Sequence, residues 1–187
     1  MSFSELGLSA ELLRAVEKQG YAQATPIQLQ AIPVILNGED LLAGAQTGTG
    51  KTAGFTLPLL HLLQASAVHG QPHRVRALIL VPTRELANQV AESVRAYGRN
   101  LPFRTGVIYG GVGIQAQIKK LRDGVDIVVA TPGRLIDHIH RRTIDLRGVE
   151  TLVLDEADRM LDMGFREDME TLLAALAPER QTLFFSA

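Results

Sequence analysis

Cysteine is absent from the 187 residues, which removes disulfides, thiolate metal sites and cysteine nucleophiles together. The absence fits a reducing cytoplasm, the expected location. Tryptophan is absent too, and aromatics make up only 5% of the chain, so no run of stacking side chains offers a platform for bases. No uninterrupted apolar stretch is longer than Ala31–Leu36, far short of a membrane span. The amino terminus reads Met-Ser-Phe-Ser-Glu, with no basic segment ahead of an apolar one, unlike a secretory signal. There is no internal repeat, low-complexity tract or dividing linker. What remains is a chain of one-domain length, 46% hydrophobic and 21% charged, with ample material for a core.

The net charge of -1 conceals an uneven distribution. Residues 1–70 carry 3 basic and 5 acidic side chains, residues 71–150 carry 13 and 7, and residues 151–187 carry 3 and 8. A middle segment at +6 is a better pointer to an anionic partner than the total, although on charge alone a solvated surface with a chance bias is the preferred account.

Two helices are expected first. Ser9 can cap one that ends near Gly20, and Thr25-Pro26 opens another that stops at Asn37-Gly38. Short β-rich runs follow: Asp40–Ala45, Arg76–Val81, Arg104–Tyr109, Asp126–Ala130, Thr151–Leu154 and Thr182–Phe185. Most are separated by stretches long enough for a crossover helix, and Val68–Arg74 reads as a flexible loop. Near-continuous apolar strands alternating with helices predict an α/β fold, a parallel sheet with helices on both faces. Functional residues then gather beyond the carboxyl ends of the strands.

The first run leads into Ala45-Gln46-Thr47-Gly48-Thr49-Gly50-Lys51-Thr52. Glycines there let successive N–H groups face the β- and γ-phosphates of a nucleotide, and the next helix adds its positive end. Lys51 supplies a full charge, and the Thr52 hydroxyl is a ligand for Mg²⁺. The usual pattern begins with glycine, where this chain has Ala45; a plain Gly-rich turn is the bland alternative. The run Thr151–Leu154 ends in Asp155-Glu156-Ala157-Asp158. Carboxylates at that place hold Mg²⁺ and position water, so Asp155 is assigned to the metal and Glu156 to orienting or deprotonating water. Alone, the cluster could equally be an acidic helix start.

Three further runs end in turns suited to anions: Pro82-Thr83-Arg84, Gly110-Gly111, and Thr131-Pro132-Gly133-Arg134. For any one of them, helix capping and turn formation are sufficient reasons. Three in succession inside the +6 segment favour contact with a nucleic-acid backbone. The histidines are expected to be solvated, since His138 and His140 fall on different sides of a helix and no second ligand pair accompanies them or His69 and His73.

With these motifs in place, the whole chain resembles the first RecA-like lobe of a DEAD-box RNA helicase, whose name spells residues 155–158. The resemblance implies a RecA-like P-loop domain over 1–187, with a Q-motif helical segment (1–38) and a P-loop core (39–187). It implies ATP and Mg²⁺ as ligands. Tyr21 would stack on adenine, Gln28 would bond its edge, and Phe3 would brace the segment; Thr25-x-x-Gln28 is also a capping box. Ala24 stands where the family usually has proline, which loosens that loop. The three turns match the family's Ia, GG and Ib motifs, which grip RNA by its backbone, with little sequence preference. Asp158 and Ser186 would couple the phosphate site to the RNA. The wording around Met1–Gly7 and Asp155–Phe165 is most similar to the bacterial RhlE-type subgroup.

The chain stops at Phe184-Phe185-Ser186-Ala187, inside the family's motif III. The resemblance therefore implies a second RecA-like lobe elsewhere, bringing an arginine finger often worth about 10³–10⁵ in rate. The expected function is ATP-dependent unwinding of short RNA duplexes once the lobes are joined. An ATP-gated RNA clamp is the alternative, and the isolated lobe is expected to be nearly inactive.

Overall fold

The computed structural model describes all of residues 1–187. A short 3-10 turn at Phe3–Glu5 precedes α1 (Ala10–Lys18) and α2 (Pro26–Leu36). The chain then alternates as β1 (Leu41–Gly44), α3 (Lys51–Ala65), β2 (Ala77–Leu80), α4 (Arg84–Tyr97), β3 (Thr105–Ile108), α5 (Gln115–Asp123) and β4 (Ile127–Ala130). It ends with α6 (Pro132–His140), β5 (Thr151–Leu154), α7 (Ala157–Asp162), α8 (Arg166–Ala175) and β6 (Gln181–Ser186). All six strands are parallel, in the order β1-β6-β5-β2-β4-β3.

Every predicted strand is present. The first four runs extend slightly past their strands, Thr151–Leu154 coincides with β5, and β6 outruns its segment by one residue at each end. At β2 the backbone explains the excess, since Arg76 N–H bonds Asp126 O at 2.8 Å and Val81 N–H bonds Ala130 O at 2.9 Å, continuing the ladder.

Alternation along the strands divides the core in two. Ala77, Ile79, Val129, Val153 and Phe185 face α1 to α4, where the Phe55 and Phe185 rings lie 5.3 Å apart. Leu78, Leu80, Val128, Leu152 and Leu154 face the opposite way, toward Leu135 of α6, Met160 of α7 and Leu172 of α8. A sheet covered on both faces needs apolar residues at nearly every strand position, which is the pattern that made β2, β4 and β5 legible.

Register places the sheet's carboxyl ends together. Leu80 pairs with Ala130 and Leu154, Ile108 with Ala130, and Gly44 with Ser186. The 45–52 loop, the acidic turn at 155–158 and the three anion-suited turns therefore leave one edge of the sheet, while the Val68–Arg74 loop enters β2 from the other. Ser9 corrects an expectation: it stands at the start of α1, but its hydroxyl has no partner, and its N–H instead donates to His61 Nδ1 at 3.2 Å.

Candidate nucleotide and nucleic-acid site

The loop after β1 turns on two glycines with left-handed backbone, Gly48 (φ 80°) and Gly50 (φ 83°). Thr49 Oγ1 closes it by donating to Gln46 O at 2.7 Å, and Lys51 begins α3. Lys51 and Asp155 converge from different strands: Nζ lies 2.8 Å from Oδ1, with both side chains buried. Burial pushes the Asp155 carboxyl above its ordinary value, and the Lys51 bond and charge oppose that. The second oxygen, Oδ2, is buried with no hydrogen-bond partner.

A buried, orphaned carboxylate oxygen in a cavity that Thr52 also lines fits a Mg²⁺ ion, which takes one or two protein oxygens and fills its remaining positions with phosphate and water. Glu156 has a left-handed backbone at φ 52°, a strained conformation for a residue with a Cβ. Its carboxylate lies 3.6 Å from Arg159 Nη1.

These groups line one cavity of about 430 Å³, together with Tyr21, Gln28, Thr47 and Gly48. Gln28 joins two parts of it. Its Oε1 accepts from Thr25 N–H at 2.9 Å, the glutamine half of the capping box, while its Nε2 donates to Gly50 O at 3.0 Å. Tyr21 is half exposed at the mouth, and Phe3 is buried in the core. Ala24 corrects the expectation of a loosened loop: its N–H donates to Met1 O at 3.2 Å, a bond proline could not make. Gln46 and Thr47 are exposed at the rim of the loop. Asp158 has one buried, unpartnered oxygen, and no hydrogen bond joins it to Ser186.

One wall of the cavity is absent from the motif reading. Gln89, Ser93 and Tyr97 of α4 face it. They recur every four residues, a single stripe on a helix, and that spacing was the available signal. Burial, with Tyr21 adding to it, pushes the Tyr97 phenol up.

The three anion-suited turns do lie side by side, since β2, β4 and β3 are neighbours in register. Thr83 Oγ1 accepts from Leu86 N–H at 3.2 Å and caps α4, whereas Thr131 makes no such cap on α6. Arg84 stacks over the Tyr109 ring at 4.8 Å, and Arg134 donates to Val112 O at 2.9 Å. The charge of the middle segment is less focused than its total suggests. Arg76 is buried against Glu150 at 2.6 Å, and Arg74, Arg104 and Arg147 lie near the opposite ends of the strands.

Two histidines, His61 and His138, correct the expectation of solvation, whereas His73 is exposed as expected. His61 accepts from Ser9 as above, and His73 Nδ1 lies 2.8 Å from Asp126 Oδ2. His138 is fully buried, with Nδ1 2.7 Å from Thr143 Oγ1 and Nε2 3.0 Å from Gln117 Oε1. Burial first, then the Arg134 charge, depress the His138 pKa; Arg141 adds to this and Asp137 opposes it. The unfolded chain thus takes up this proton more readily. Neutral His138 contributes its full stability above about pH 6.5 and loses it as the pH falls further. Unfolding in urea between pH 7.5 and 5.5 is expected to show a smaller acid loss in His138→Gln than in the unsubstituted chain. Equal losses would remove His138 as the cause.

A family model described as DEAD/DEAH box helicase matches residues 25–187. A protein of Limosilactobacillus reuteri named ATP-dependent RNA helicase CshA is 50% identical over 187 residues, all of this chain and 37% of its own length. One of the same name from Listeria monocytogenes is 50% identical over 185 residues, 99% of this chain and 35% of its own. The crystal structure of a DEAD box protein from Methanococcus jannaschii superposes with a TM-score of 0.91 at 44% identity, over 100% of this chain and 50% of that one. The chain thus spans little more than a third of the curated relatives it matches.

Proposed function

The chain belongs to the DEAD/DEAH box helicase family, and from that premise we propose that it is the ATP- and RNA-binding first lobe of an ATP-dependent RNA helicase. The observation that carries this reading is the meeting of the 45–52 loop with Asp155 and Glu156 in one cavity, through the buried Lys51–Asp155 pair.

In this reading the N–H groups of Thr47 to Gly50 and the start of α3 receive the β- and γ-phosphates, and Lys51 transfers its attention from Asp155 to their oxygens. Thr52 and Asp155 hold the magnesium ion, which when bound neutralises phosphate charge and orients the triphosphate. Glu156 orients water at the γ-phosphate and accepts its proton. Tyr21 stacks on the adenine; Gln28 reads its edge while keeping contact with the phosphate loop. Pro82, Thr83, Arg84, Gly110, Gly111, Thr131, Gly133 and Arg134 receive the RNA backbone. Asp158 and Ser186 couple the two sites.

A second RecA-like lobe, supplied by the longer protein, completes both sites and adds the arginine finger. No helix is long and apolar enough to cross a membrane, and the proposed work is cytoplasmic. An affinity with the RhlE-type subgroup rests on Met1–Gly7 and Asp155–Phe165, although the relatives above bear the name CshA.

ATP turnover by the 187-residue chain is expected to be near background with or without RNA, because the arginine finger's contribution of about 10³–10⁵ is missing. Restoring the downstream lobe should bring RNA-stimulated hydrolysis, and Glu156→Gln should abolish it. Steady RNA-stimulated turnover by the 187 residues alone would overturn the division of labour between lobes.

A further inference from the structure

We propose that Gln117 and His138 are positioning residues that hold Arg84 and Arg134 as one preset phosphate clamp; this rests on the reading of the rim as an RNA-backbone surface. Gln117 is the hub. Its Nε2 donates to Tyr109 O at 2.9 Å, in the turn after β3. Its Oε1 faces two donors at once, His138 Nε2 at 3.0 Å and Arg134 Nη1 at 3.3 Å. Because that oxygen can only accept, the amide orientation is settled and His138 carries its proton on Nε2. Thr143 Oγ1, 2.7 Å from Nδ1, anchors the imidazole from the far side.

Arg134 is held at a second point, while Arg84 has a single hold. Arg134 Nη2 donates to Val112 O at 2.9 Å, and Arg84 lies over the ring of Tyr109, whose carbonyl Gln117 already fixes. One buried amide thereby ties the glycine turn to α6 and, through Tyr109, to the start of α4.

The holding groups are all uncharged: carbonyl oxygens, an amide and an aromatic ring. No carboxylate lies within ion-pair distance of Arg84 or Arg134, whereas Arg76, Arg141, Arg147, Arg159 and Arg166 each have one. A guanidinium that is fixed but not neutralised keeps its charge for an incoming anion and has already surrendered much of its side-chain freedom. An amide serving the fold alone has no need to present its oxygen to an unpaired arginine.

The test measures binding of a fluorescein-labelled single-stranded oligouridylate to the 187-residue chain by anisotropy, across a salt series. Gln117→Met, close in size but unable to accept, is expected to bind roughly 3- to 10-fold more weakly, with the salt dependence reduced by about one phosphate contact. In an Arg134→Ala background the same substitution should cost less than about twofold. Gln117→Glu still accepts from Arg134 and His138 and neutralises Arg134, but it gives up the donor to Tyr109 O and sets a carboxylate oxygen against that carbonyl. Measured well below its melting temperature, its RNA affinity should fall, and most of that loss should disappear in the Arg134→Ala background, a dependence that a purely structural role does not produce. Undiminished RNA binding by Gln117→Met, multiplicative losses with Arg134→Ala, or undiminished binding by Gln117→Glu would each overturn the proposal. No salt-dependent binding by the unsubstituted chain would instead remove the rim reading itself.

Discussion

Lys51→Met is expected to abolish binding of a fluorescent ADP–magnesium complex and, separately, to destabilise the unliganded fold. The first effect follows from the loss of the only full positive charge in the phosphate loop. The second follows from burial. Lys51 and Asp155 are both withdrawn from water and lie 2.8 Å apart. Removing one member of such a pair strands the other, at a cost of about 3–5 kcal/mol. The carboxyl can escape part of that cost by taking up a proton, since burial already pushes its pKa up. An acid whose folded-state pKa is raised is less destabilising as the pH falls toward that value. The deficit of Lys51→Met should accordingly be smaller at pH 5.5 than at pH 8. Adding Asp155→Asn should recover most of the stability and none of the nucleotide binding. If Lys51→Met bound nucleotide within tenfold of the unsubstituted chain, the phosphate site would lie elsewhere.

Gly50→Ala is expected to be nearly as damaging, and Gly48→Ala is its control. Both glycines have left-handed backbone, at φ 83° and 80°, so an alanine at either costs about 1–2 kcal/mol in strain. Their surroundings differ. A Cβ at Gly48 meets nothing within 4 Å, whereas one at Gly50 drives into Nε2 of Gln28 and lies 3.0 Å from Thr25 Oγ1. Gln28 must then leave, giving up its bonds to Gly50 O and Thr25 N–H, and the helix that carries Tyr21's neighbours loses its grip on the phosphate loop. Thermal melts should show Gly50→Ala below Gly48→Ala by an amount worth roughly two hydrogen bonds, about 1–3 kcal/mol. Nucleotide affinity should fall at least about tenfold further, a free-energy loss of about 1.4 kcal/mol. Equal effects of the two substitutions would show that the Gln28 contact contributes nothing.

The strands were legible because a doubly covered sheet demands apolar residues at successive positions, and few other arrangements do. β2, β4 and β5 are buried at every position. β1 is at the sheet's edge, with Leu42 exposed, and was legible only with the glycine loop behind it. The residues proposed for phosphate and metal were nameable in advance because they are contiguous: a loop curling around an anion uses neighbouring N–H groups, so its chemistry is written in a short segment. Helix starts were located correctly, but which hydroxyl caps was not. Ser9 and Thr131 stand at starts without capping, and Thr83 caps.

Order and chemistry of local segments, then, were determined by the chain itself: six strands, the loop at 45–52, the acids at 155–158 and three turns inside a basic stretch. Tertiary structure alone decided which of these meet. The Lys51–Asp155 pair, the Gln28–Gly50 bond and the His138–Gln117 contact all join residues on different elements. Such contacts depend on sheet register and helix packing, which set distances in space between groups whose separation along the chain carries no trace of them.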